Sequence, residues 1–358
     1  MSLKVKNGSD TSTVDEAHLR TILDSMVEAV FVTDDNGRVT LTNRALDELV
    51  TRDVLGRRGK NVIKSKELKQ AIRLARKEGK ATGVELESHI ADRVHSFHAQ
   101  VSPLPDGAGV VTVLHDVTEL KNADRIRRDF VANASHELRT PLTAVRGFAE
   151  TLRDGAFENP AATLRFSEAI VRHTKRLQRL AEDLTVLSQA ESPDKDYESW
   201  PTDVRAVCRE CVSSLDSFAR EKSITLRYEL PDDPVMVTLS AQALDHVLIN
   251  LIENAIKYSS EGGKVTVRVL SNDEQVSVEV ADDGAGIPLK YHERIFERFY
   301  RVDKGRTRVV GGTGLGLSIA RHLTRRLGGT IELDSELDVG STFRVVLPLE
   351  SANDEESS

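Results

Sequence analysis

Two stretches of apolar residues at helical spacing, in the middle of the chain, restrict its fold more than any other feature. They lie within 131–152 and 170–187, and a turn segment with Gly155 and Pro160 separates them. In the second stretch the spacing alternates between three and four residues, the heptad rhythm of a coiled-coil seam. Because one hairpin of two such helices buries little apolar surface by itself, the pattern predicts an antiparallel hairpin that pairs with a second copy as a dimeric four-helix bundle. The first stripe consists of Val131, Ala134, Leu138, Leu142, Val145, Phe148 and Leu152.

The length of 358 residues suggests two or three domains. A net charge of −8 provides no bulk positive field for phosphates, and aromatic residues make up only 4% of the chain, so direct nucleic-acid binding is not expected. The polar first residues lack the apolar core of a signal peptide, and no window approaches the ~18 apolar residues of a membrane span. We therefore expect a cytoplasmic protein, with membrane contact only if an anchor precedes this chain.

Composition and periodicity divide the chain into six segments. We expect a flexible N-terminus over 1–18, an α+β domain over 19–118, the helical hairpin over 119–192, a linker over 193–202, an α/β domain over 203–350 and a disordered acidic tail over 351–358. In the first domain, Asn36-Gly37 between two apolar runs predicts a β-hairpin, and the later runs predict one antiparallel sheet with helices on one face.

The α/β domain alternates helical and extended patterns in a way that predicts a sandwich with mixed strand order. The helices are expected near 203–221, 241–258 and 314–327. The strands are expected near 224–230, 235–239, 264–270, 276–282, 330–336 and 341–348.

His136 stands out on the first helix of the hairpin. The heptad pattern places it on the solvent side, opposite the apolar seam, and Thr140 follows one turn later on the same face. Pro141 removes a backbone hydrogen bond to the carbonyl of Glu137, so a bend is expected beside the histidine. A lone surface histidine is usually unremarkable, but a mid-helix proline beside it is costly without a functional reason.

Three further clusters lie in the α/β domain. Asn250, Asn254 and Lys257 recur at i, i+4 and i+7 on the polar face of one helix, which suits a metal–polyphosphate, although a plain solvated stripe is the alternative. Asp282 ends a strand before a glycine turn, where it can accept a hydrogen bond from an exocyclic amine; ordinary turn chemistry also explains this pattern. Glycines at 311–316 open a helix and can expose backbone N–H groups to phosphate, and 294–310 suits a mobile lid over a nucleotide.

Taken together and in this order, the clusters resemble the sensor histidine kinases of two-component systems. The resemblance rests on H-E-L-R-T-P-L, N-L-I-E-N-A-I-K-Y, D-D-G-A-G-I-P, F-E-R-F-Y-R and G-T-G-L-G-L, and it covers about residues 120–349. The stretch 146–152 looks most like the phosphate-regulon sensor kinase branch. Residues 19–118 are similar to a PAS sensor domain. The resemblance implies a PAS-like α+β domain, a phosphotransfer hairpin and an ATP-binding domain of the histidine kinase/chaperone ATPase type.

The family's roles map onto matching positions of this chain. The resemblance implies that His136 accepts the γ-phosphoryl group of ATP, that Glu137 orients it and takes up its proton, and that Thr140 orients water for removing phosphate from a regulator. It implies that Asn254 holds Mg²⁺ and that Asp282 binds adenine. The other residues implied to contact or frame the nucleotide are Asn250, Lys257, Tyr258, Gly284, Gly286, Arg301, Gly312, Thr313, Gly314, Leu315 and Gly316.

The implied function is a homodimeric, ATP-dependent histidine kinase that passes its phosphoryl group to an aspartate of a response regulator and also removes it. The alternative is a regulator phosphatase or an ATP-binding switch with little kinase activity.

Other candidate ligand residues have simpler explanations. Cys208 and Cys211 are too few for a disulfide framework or a four-ligand zinc site, and we expect them to pack on one helix face. His95 and His98 lie three apart, so on opposite faces of a strand, which leaves a metal or haem site as the less favoured alternative. His173 lies in the seam of the second helix, where packing or an interhelical hydrogen bond is expected.

Overall fold

A computed structural model of the protein describes residues 3–7, 10–14, 16–50, 53–91, 93–192, 197–302 and 313–349. The chain forms two compact units, residues 1–129 and 130–358.

The first unit is an α+β domain built on a five-stranded antiparallel sheet. Its strand order is β4-β3-β7-β6-β5. Its elements are β1 (Leu3–Asn7), β2 (Asp10–Val14), α1 (Glu16–Ser25), β3 (Ala29–Thr33), β4 (Val39–Thr42), α2 (Arg44–Val50), α3 (Lys66–Glu78), β5 (Thr82–Ile90), β6 (Arg93–Pro103) and β7 (Val110–Asp116).

The expected antiparallel sheet is confirmed, whereas the N-terminal segment differs from expectation. Strands β1 and β2 pair as an antiparallel hairpin where the sequence predicts a flexible lead-in. The β-branched residues of this segment favour strand pairing, whereas its polar composition predicted flexibility. At the Asp34–Gly37 turn only Gly37 has a positive φ, because the Asp34 carboxylate accepts hydrogen bonds from the N–H groups of Asn36 and Arg38.

The Asn43 side chain links α1, the start of β3 and the start of α2 through hydrogen bonds. It is fully buried, and its Oδ1 accepts hydrogen bonds from the N–H of Val30 at 2.8 Å and of Leu46 at 3.1 Å. Its Nδ2 donates to the carbonyls of Leu23 and Glu28, both at 2.9 Å. All the polar atoms of the side chain are thus satisfied, which removes the cost of burying them.

A long helix, α4 (Thr118–Arg153), continues into the second unit and forms a hairpin with α5 (Pro160–Glu191). The hairpin is antiparallel: Arg176 contacts Glu137 near one end, whereas Phe166 stacks on Phe148 near the other. Asn159 caps α5 by accepting hydrogen bonds from two backbone N–H groups, and a proline occupies its first position, which fixes where the helix begins. The predicted hairpin is therefore confirmed.

The rest of the second unit is an α/β sandwich. Strands in the order β13-β14-β12-β11-β9 form a sheet in which only β9 and β11 run parallel. Helices α6, α7 and α8 share one apolar core with the buried valines of β11 and β12. The elements are β8 (Trp200–Asp203), α6 (Val204–Glu221), β9 (Thr225–Glu229), β10 (Met236–Leu239), α7 (Ala241–Tyr258), β11 (Lys264–Ser271), β12 (Gln275–Asp282), α8 (Gly316–Arg326), β13 (Thr330–Glu336) and β14 (Gly340–Pro348).

Two details of this unit differ from the sequence interpretation. Residues 200–202, assigned to a linker, belong to strand β8, which pairs with β10 and carries a proline that hides its strand character. In the hairpin, Ala134 is buried, but Val131 and Leu142 of the same predicted stripe are exposed. The apolar side chains of Val131 and Leu142 therefore lie at the surface of this chain.

Candidate functional site

A cavity of about 330 Å³ lies in the second unit where α5, α7 and the start of α8 meet. A volume of this size lies within the usual range of small-molecule sites. Residues from α5, α7 and the segments around α8 line it: Arg179, Glu182, Asp183, Val186, His246, Ile249, Asn250, Glu253, Asn254, Lys257, Tyr258, Ile295, Tyr300, Arg301, Thr313, Gly314, Gly316, Leu317 and Ile319.

Helix α7 presents its polar face to this cavity because its other face is buried in the core. Leu248, Leu251 and Ile252 are fully buried, which turns Asn250 and Asn254 toward the cavity. Ser240 caps the helix by accepting a hydrogen bond from the N–H of Ala243. The predicted grouping of Asn250, Asn254 and Lys257 around one space is thereby realised.

A carboxylate that the sequence interpretation missed lies among these groups. Glu253 accepts a hydrogen bond from Lys257 Nζ at 2.6 Å and lies 3.5 Å from Arg179 Nη1 of α5. The Lys257 side chain is only 11% exposed, so this pairing offsets the cost of burying its charge. The i, i+4 spacing of Glu253 and Lys257 was the available signal in the sequence.

The start of α8 packs tightly onto α7, the residue pair before it packs onto Phe299, and a glycine permits each approach. A Cβ on Gly316 would lie 2.6 Å from Oδ1 of Asn250, so any side chain there would displace the asparagine. Gly314 has a φ of +75° and its carbonyl accepts a hydrogen bond from the N–H of Phe299 at 2.8 Å. Leu315, between them, is fully buried and does not line the cavity. The first backbone N–H groups of α8 thus lie beside the cavity, a favourable place for an anion.

Helix α5 closes the other side of the cavity. Thr313 donates a hydrogen bond from Oγ1 to Oδ2 of Asp183 at 2.7 Å. Burial raises the pKa of Asp183, and the hydrogen bond from Thr313 opposes that shift. The sequence did not predict this contact, because Asp183 and Thr313 are 130 positions apart and share no sequence motif.

Asp282, Gly284 and Gly286 do not line the cavity, and of these Gly284 lies against its Tyr258 end. A Cβ on Gly284 would lie 2.5 Å from the carbonyl oxygen of Tyr258, which places the turn against the end of α7. Burial raises the pKa of Asp282 to about 6, against hydrogen bonds from the backbone N–H groups of Gly284 and Ser341. Gly286 has a φ of +62° and presses against the backbone of 336–337, so it shapes the turn.

The predicted lid is described only in part. Ile295, Tyr300 and Arg301 line the cavity. Desolvation of the partly exposed Tyr258 side chain raises its pKa, and the positive charge of Arg301 opposes that shift. Gly312 and the part of the lid over 303–310 lie outside the described residues.

The predicted phospho-acceptor is accessible but is not part of this cavity. His136 and Thr140 are exposed on α4, and Thr140 Oγ1 donates to the carbonyl oxygen of His136 at 3.2 Å. Glu137 is half-buried, and its carboxylate pairs with Arg176 of α5 at 2.8 Å. The pairing fixes the carboxylate of the residue that follows His136 in the sequence. Arg176 was not predicted, because it lies on the other helix.

The simpler explanations of the cysteines and of His173 are confirmed. Cys208 and Cys211 are buried on α6, where burial raises the pKa of both thiols, that of Cys208 to about 12. His173 stacks on Phe148 between the hairpin helices, with ring centroids 6.0 Å apart. Over the described residues there is no group of three or more His, Cys, Asp and Glu able to hold a metal ion.

Three family models match the chain. They are the PAS fold over 23–122, the His Kinase A (phospho-acceptor) domain over 126–193, and the histidine kinase-, DNA gyrase B- and HSP90-like ATPase over 239–351. The PAS-like domain, the hairpin and the ATPase-type sandwich predicted from the sequence are confirmed as fold classes.

Curated relatives carry the name WalK. A sensor histidine kinase of Bacillus subtilis is 41% identical over 69% of this chain and 41% of its own length, and one of Staphylococcus saprophyticus is 31% identical over 99% and 58%. A Staphylococcus aureus sensor protein kinase is 30% identical over 99% of this chain and 86% of its own. The chain belongs to the sensor histidine kinase family. It spans about half the length of the first two relatives, and its proposed phosphate-regulon branch stays a prediction.

Solved histidine kinases have the same fold. Kinase ThkA in complex with response regulator TrrA has a TM-score of 0.52 at 24% identity and covers 92% of this chain and 98% of its own. Acinetobacter baumannii histidine kinase AdeS has a TM-score of 0.51 at 25% identity, over 60% of this chain and 98% of its own. Within the part of this kinase-family chain that the structure describes, no helix is both long and apolar enough to cross a bilayer.

Proposed function

We propose that this chain is an ATP-dependent protein-histidine kinase that phosphorylates its own His136 and then an aspartate of a response regulator. One observation carries the proposal: a single compact unit combines a cavity lined by Asn250, Asn254 and Lys257 with a hairpin that exposes His136. A nucleotide site and a nucleophile in one unit are the two parts that such a reaction needs.

In this proposal the cavity holds the phosphates of ATP and the adjoining turn holds its base. Lys257, Arg301 and the N–H groups that begin α8 neutralise phosphate charge, with Gly312, Gly314 and Gly316 framing that end. Tyr258 covers the nucleotide. Asp282 accepts a hydrogen bond from the exocyclic amine of adenine, with Gly284 and Gly286 letting the backbone approach the ring. Leu315 supports this arrangement from the core, and Thr313 from the α5 side.

The donor set fits Mg²⁺ held between protein and phosphates. Asn254 offers a carboxamide oxygen in the cavity, and such hard oxygen ligands suit Mg²⁺, which keeps several waters and phosphate oxygens as its other ligands. Asn250 supports it, since its Nδ2 is held by the carbonyl of His246 and its Oδ1 faces the start of α8. When bound, the ion neutralises charge on the β- and γ-phosphates.

The reaction forms a bond between an imidazole nitrogen of His136 and the γ-phosphorus and breaks the bond to the oxygen that leaves with ADP. Glu137 accepts the imidazole proton and orients the ring, and its pairing with Arg176 fixes the carboxylate in place. Because His136 lies outside the cavity of this structure, transfer requires a different arrangement of cavity and α4 from the one described here.

Exposed apolar side chains support a homodimer. Val131, Leu142, Leu164 and Val171 of the hairpin are each between 52% and 62% exposed. Four large apolar residues on two adjacent helices favour burial against a second copy of the hairpin.

A response regulator is the proposed partner. The choice is supported by the similarity of this chain to ThkA, which was solved in complex with the response regulator TrrA. The exposed position of Thr140, one turn from His136, suits orienting a water molecule on a docked regulator. We propose that the chain removes phosphate from the regulator at this place.

A second candidate function is a regulator phosphatase or nucleotide switch with little kinase activity. The contact that favours it is the hydrogen bond between Asp183 and Thr313, because it seats α5 against the nucleotide cavity while His136 stays outside.

The test is incubation of the purified chain with γ-labelled ATP and Mg²⁺. Label that is labile in acid and stable in alkali, and that disappears in His136→Gln, is the expected result. His115→Gln is the matched control, since His115 is an exposed histidine of the first unit. Label that survives His136→Gln would overturn the assignment, and ATP binding without any label would favour the second candidate.

A further inference from the structure

The sensor domain carries an unusual concentration of positive charge between α2 and β5. Residues 57–80 contain ten Lys and Arg against two Glu, a net charge of +8 in a chain whose overall charge is −8. The nucleotide and phospho-acceptor sites proposed above lie in the other compact unit, so they do not account for this charge.

Five of these cations surround one concavity of about 590 Å³. Its lining consists of Arg57, Arg58, Lys60, Asn61, Lys64 and Lys69. All these side chains are exposed. The concavity brings together the loop before α3 and the first turn of that helix.

The loop that carries the cations is held firmly in place. The N–H of Val39 donates to the carbonyl of Arg57 at 2.8 Å, and the N–H of Gly59 donates to the carbonyl of Gly37 at 2.9 Å. Val62 and Ile63 are buried in the core of the domain, at 1% and 2% exposure. Anchoring these two apolar residues inward forces the neighbouring lysines to the outside.

The cations have no partners within the described chain. No described carboxylate lies in ion-pair distance of the five lining Lys and Arg side chains, although exposed ion pairs occur elsewhere in the same domain, as between Lys121 and Glu85. The nearest acid in sequence, Glu67, instead accepts a hydrogen bond from Ser65 Oγ at 2.6 Å. Like charges are therefore crowded around one space without neutralisation, and an anion there would relieve their repulsion.

We propose that this basic concavity binds a phosphate-bearing anion with at least two negative charges. Guanidinium groups such as those of Arg57 and Arg58 match phosphate oxygens with paired N–H donors, and lysines add point charges that adapt to its shape. An occupant would bridge the loop at Arg58 and Lys60 to α3 at Lys69. The phosphate comes either from a free oligophosphate or from the headgroup of an anionic lipid.

The experiment uses the full chain and two matched triple variants. Arg58→Gln/Lys60→Gln/Lys64→Gln removes three charges from the concavity. Arg73→Gln/Lys77→Gln/Lys80→Gln removes three exposed charges of the same types from the same segment, outside the concavity. Binding of tripolyphosphate is measured by titration calorimetry at physiological salt, and binding of phosphatidylglycerol vesicles is measured by cosedimentation, with phosphatidylcholine vesicles as the neutral reference.

Whichever of the two probes binds the unmodified chain should bind the first variant at least about tenfold more weakly, since that variant loses charge-assisted hydrogen bonds. The second variant should change the affinity by less than about twofold. Tripolyphosphate that also enters the ATP cavity would do so equally in both variants. Selective loss with tripolyphosphate identifies a free anion, and selective loss with vesicles alone identifies a lipid. Equal weakening in both variants, or no binding of either probe, would overturn the proposal.

Discussion

Lowering the pH from 7 to 5 should weaken adenine-nucleotide binding about tenfold through one carboxyl group, that of Asp282. Burial, with a smaller contribution from the neighbouring Asp283, raises the pKa of this group from its ordinary value of 3.8 to about 6. In the proposed complex the amine of adenine donates to the ionised carboxylate, so protonation removes the acceptor. Binding therefore favours the charged form and is lost as the pH falls through about 6.

The magnitude follows from the ionised fraction. With a pKa of about 6, about nine-tenths of the carboxyl groups are ionised at pH 7 and about one-tenth at pH 5. Apparent affinity scales with the competent fraction, which gives the ratio of about ten. Without nucleotide, the folding stability depends on pH in the opposite direction to nucleotide binding. The stability that Asp282 contributes is fully present below its unfolded pKa near 3.8 and is lost as the pH rises through about 6.

The assay compares the dissociation constant of ADP for the unmodified chain and for Asp282→Asn at pH 5, 6, 7 and 8. Because the terminal phosphate of ADP also titrates in this pH range and is common to both measurements, the ratio of the two dissociation constants is the informative quantity. The ratio should change about tenfold between pH 5 and 7. A ratio that is constant over this range would refute the argument that Asp282 binds the base as a carboxylate.

Three further predictions concern the cavity, the core and the exposed face of α4. Gly316→Ala should abolish measurable ADP binding in calorimetry while leaving the thermal unfolding midpoint within a few degrees, because the new Cβ displaces Asn250; unchanged affinity would contradict that packing. Leu251→Ala should lower the free energy of unfolding by about 2–5 kcal/mol in urea titrations, since the side chain is fully buried, and a loss below about 1 kcal/mol would contradict it. Thr140→Ala should prolong the lifetime of the phosphorylated regulator with self-labelling intact; an unaltered lifetime would exclude its proposed role.

The order and type of most elements could be predicted from the sequence because they depend on local patterns. The six strands predicted for the sandwich match the observed strands to within one residue at either end, and the helix predicted near 241–258 has the bounds of α7. The polar face of α7 followed from the same periodicity. Residue roles at the nucleotide site came from the resemblance and remain proposals.

The features that could not be predicted from the sequence depend on contacts between distant positions. The Asp183–Thr313 hydrogen bond joins two elements 130 residues apart, and the four hydrogen bonds of Asn43 become visible only when its neighbours are in place. The exposed Val131 reflects another limit, since helical spacing identifies an apolar face but not the surface that covers it.

The burial of Cys208 and Cys211 makes their reaction with a thiol reagent a measure of how often the surrounding core opens. They are its only two cysteines, both lie on α6 inside the sandwich core, and both thiols are held in the unreactive protonated form. A thiol reagent reaches them only when that core opens. The rate at which a coloured disulfide reagent is consumed therefore records the opening frequency of the sandwich alone, with nucleotide present or absent and without an attached probe.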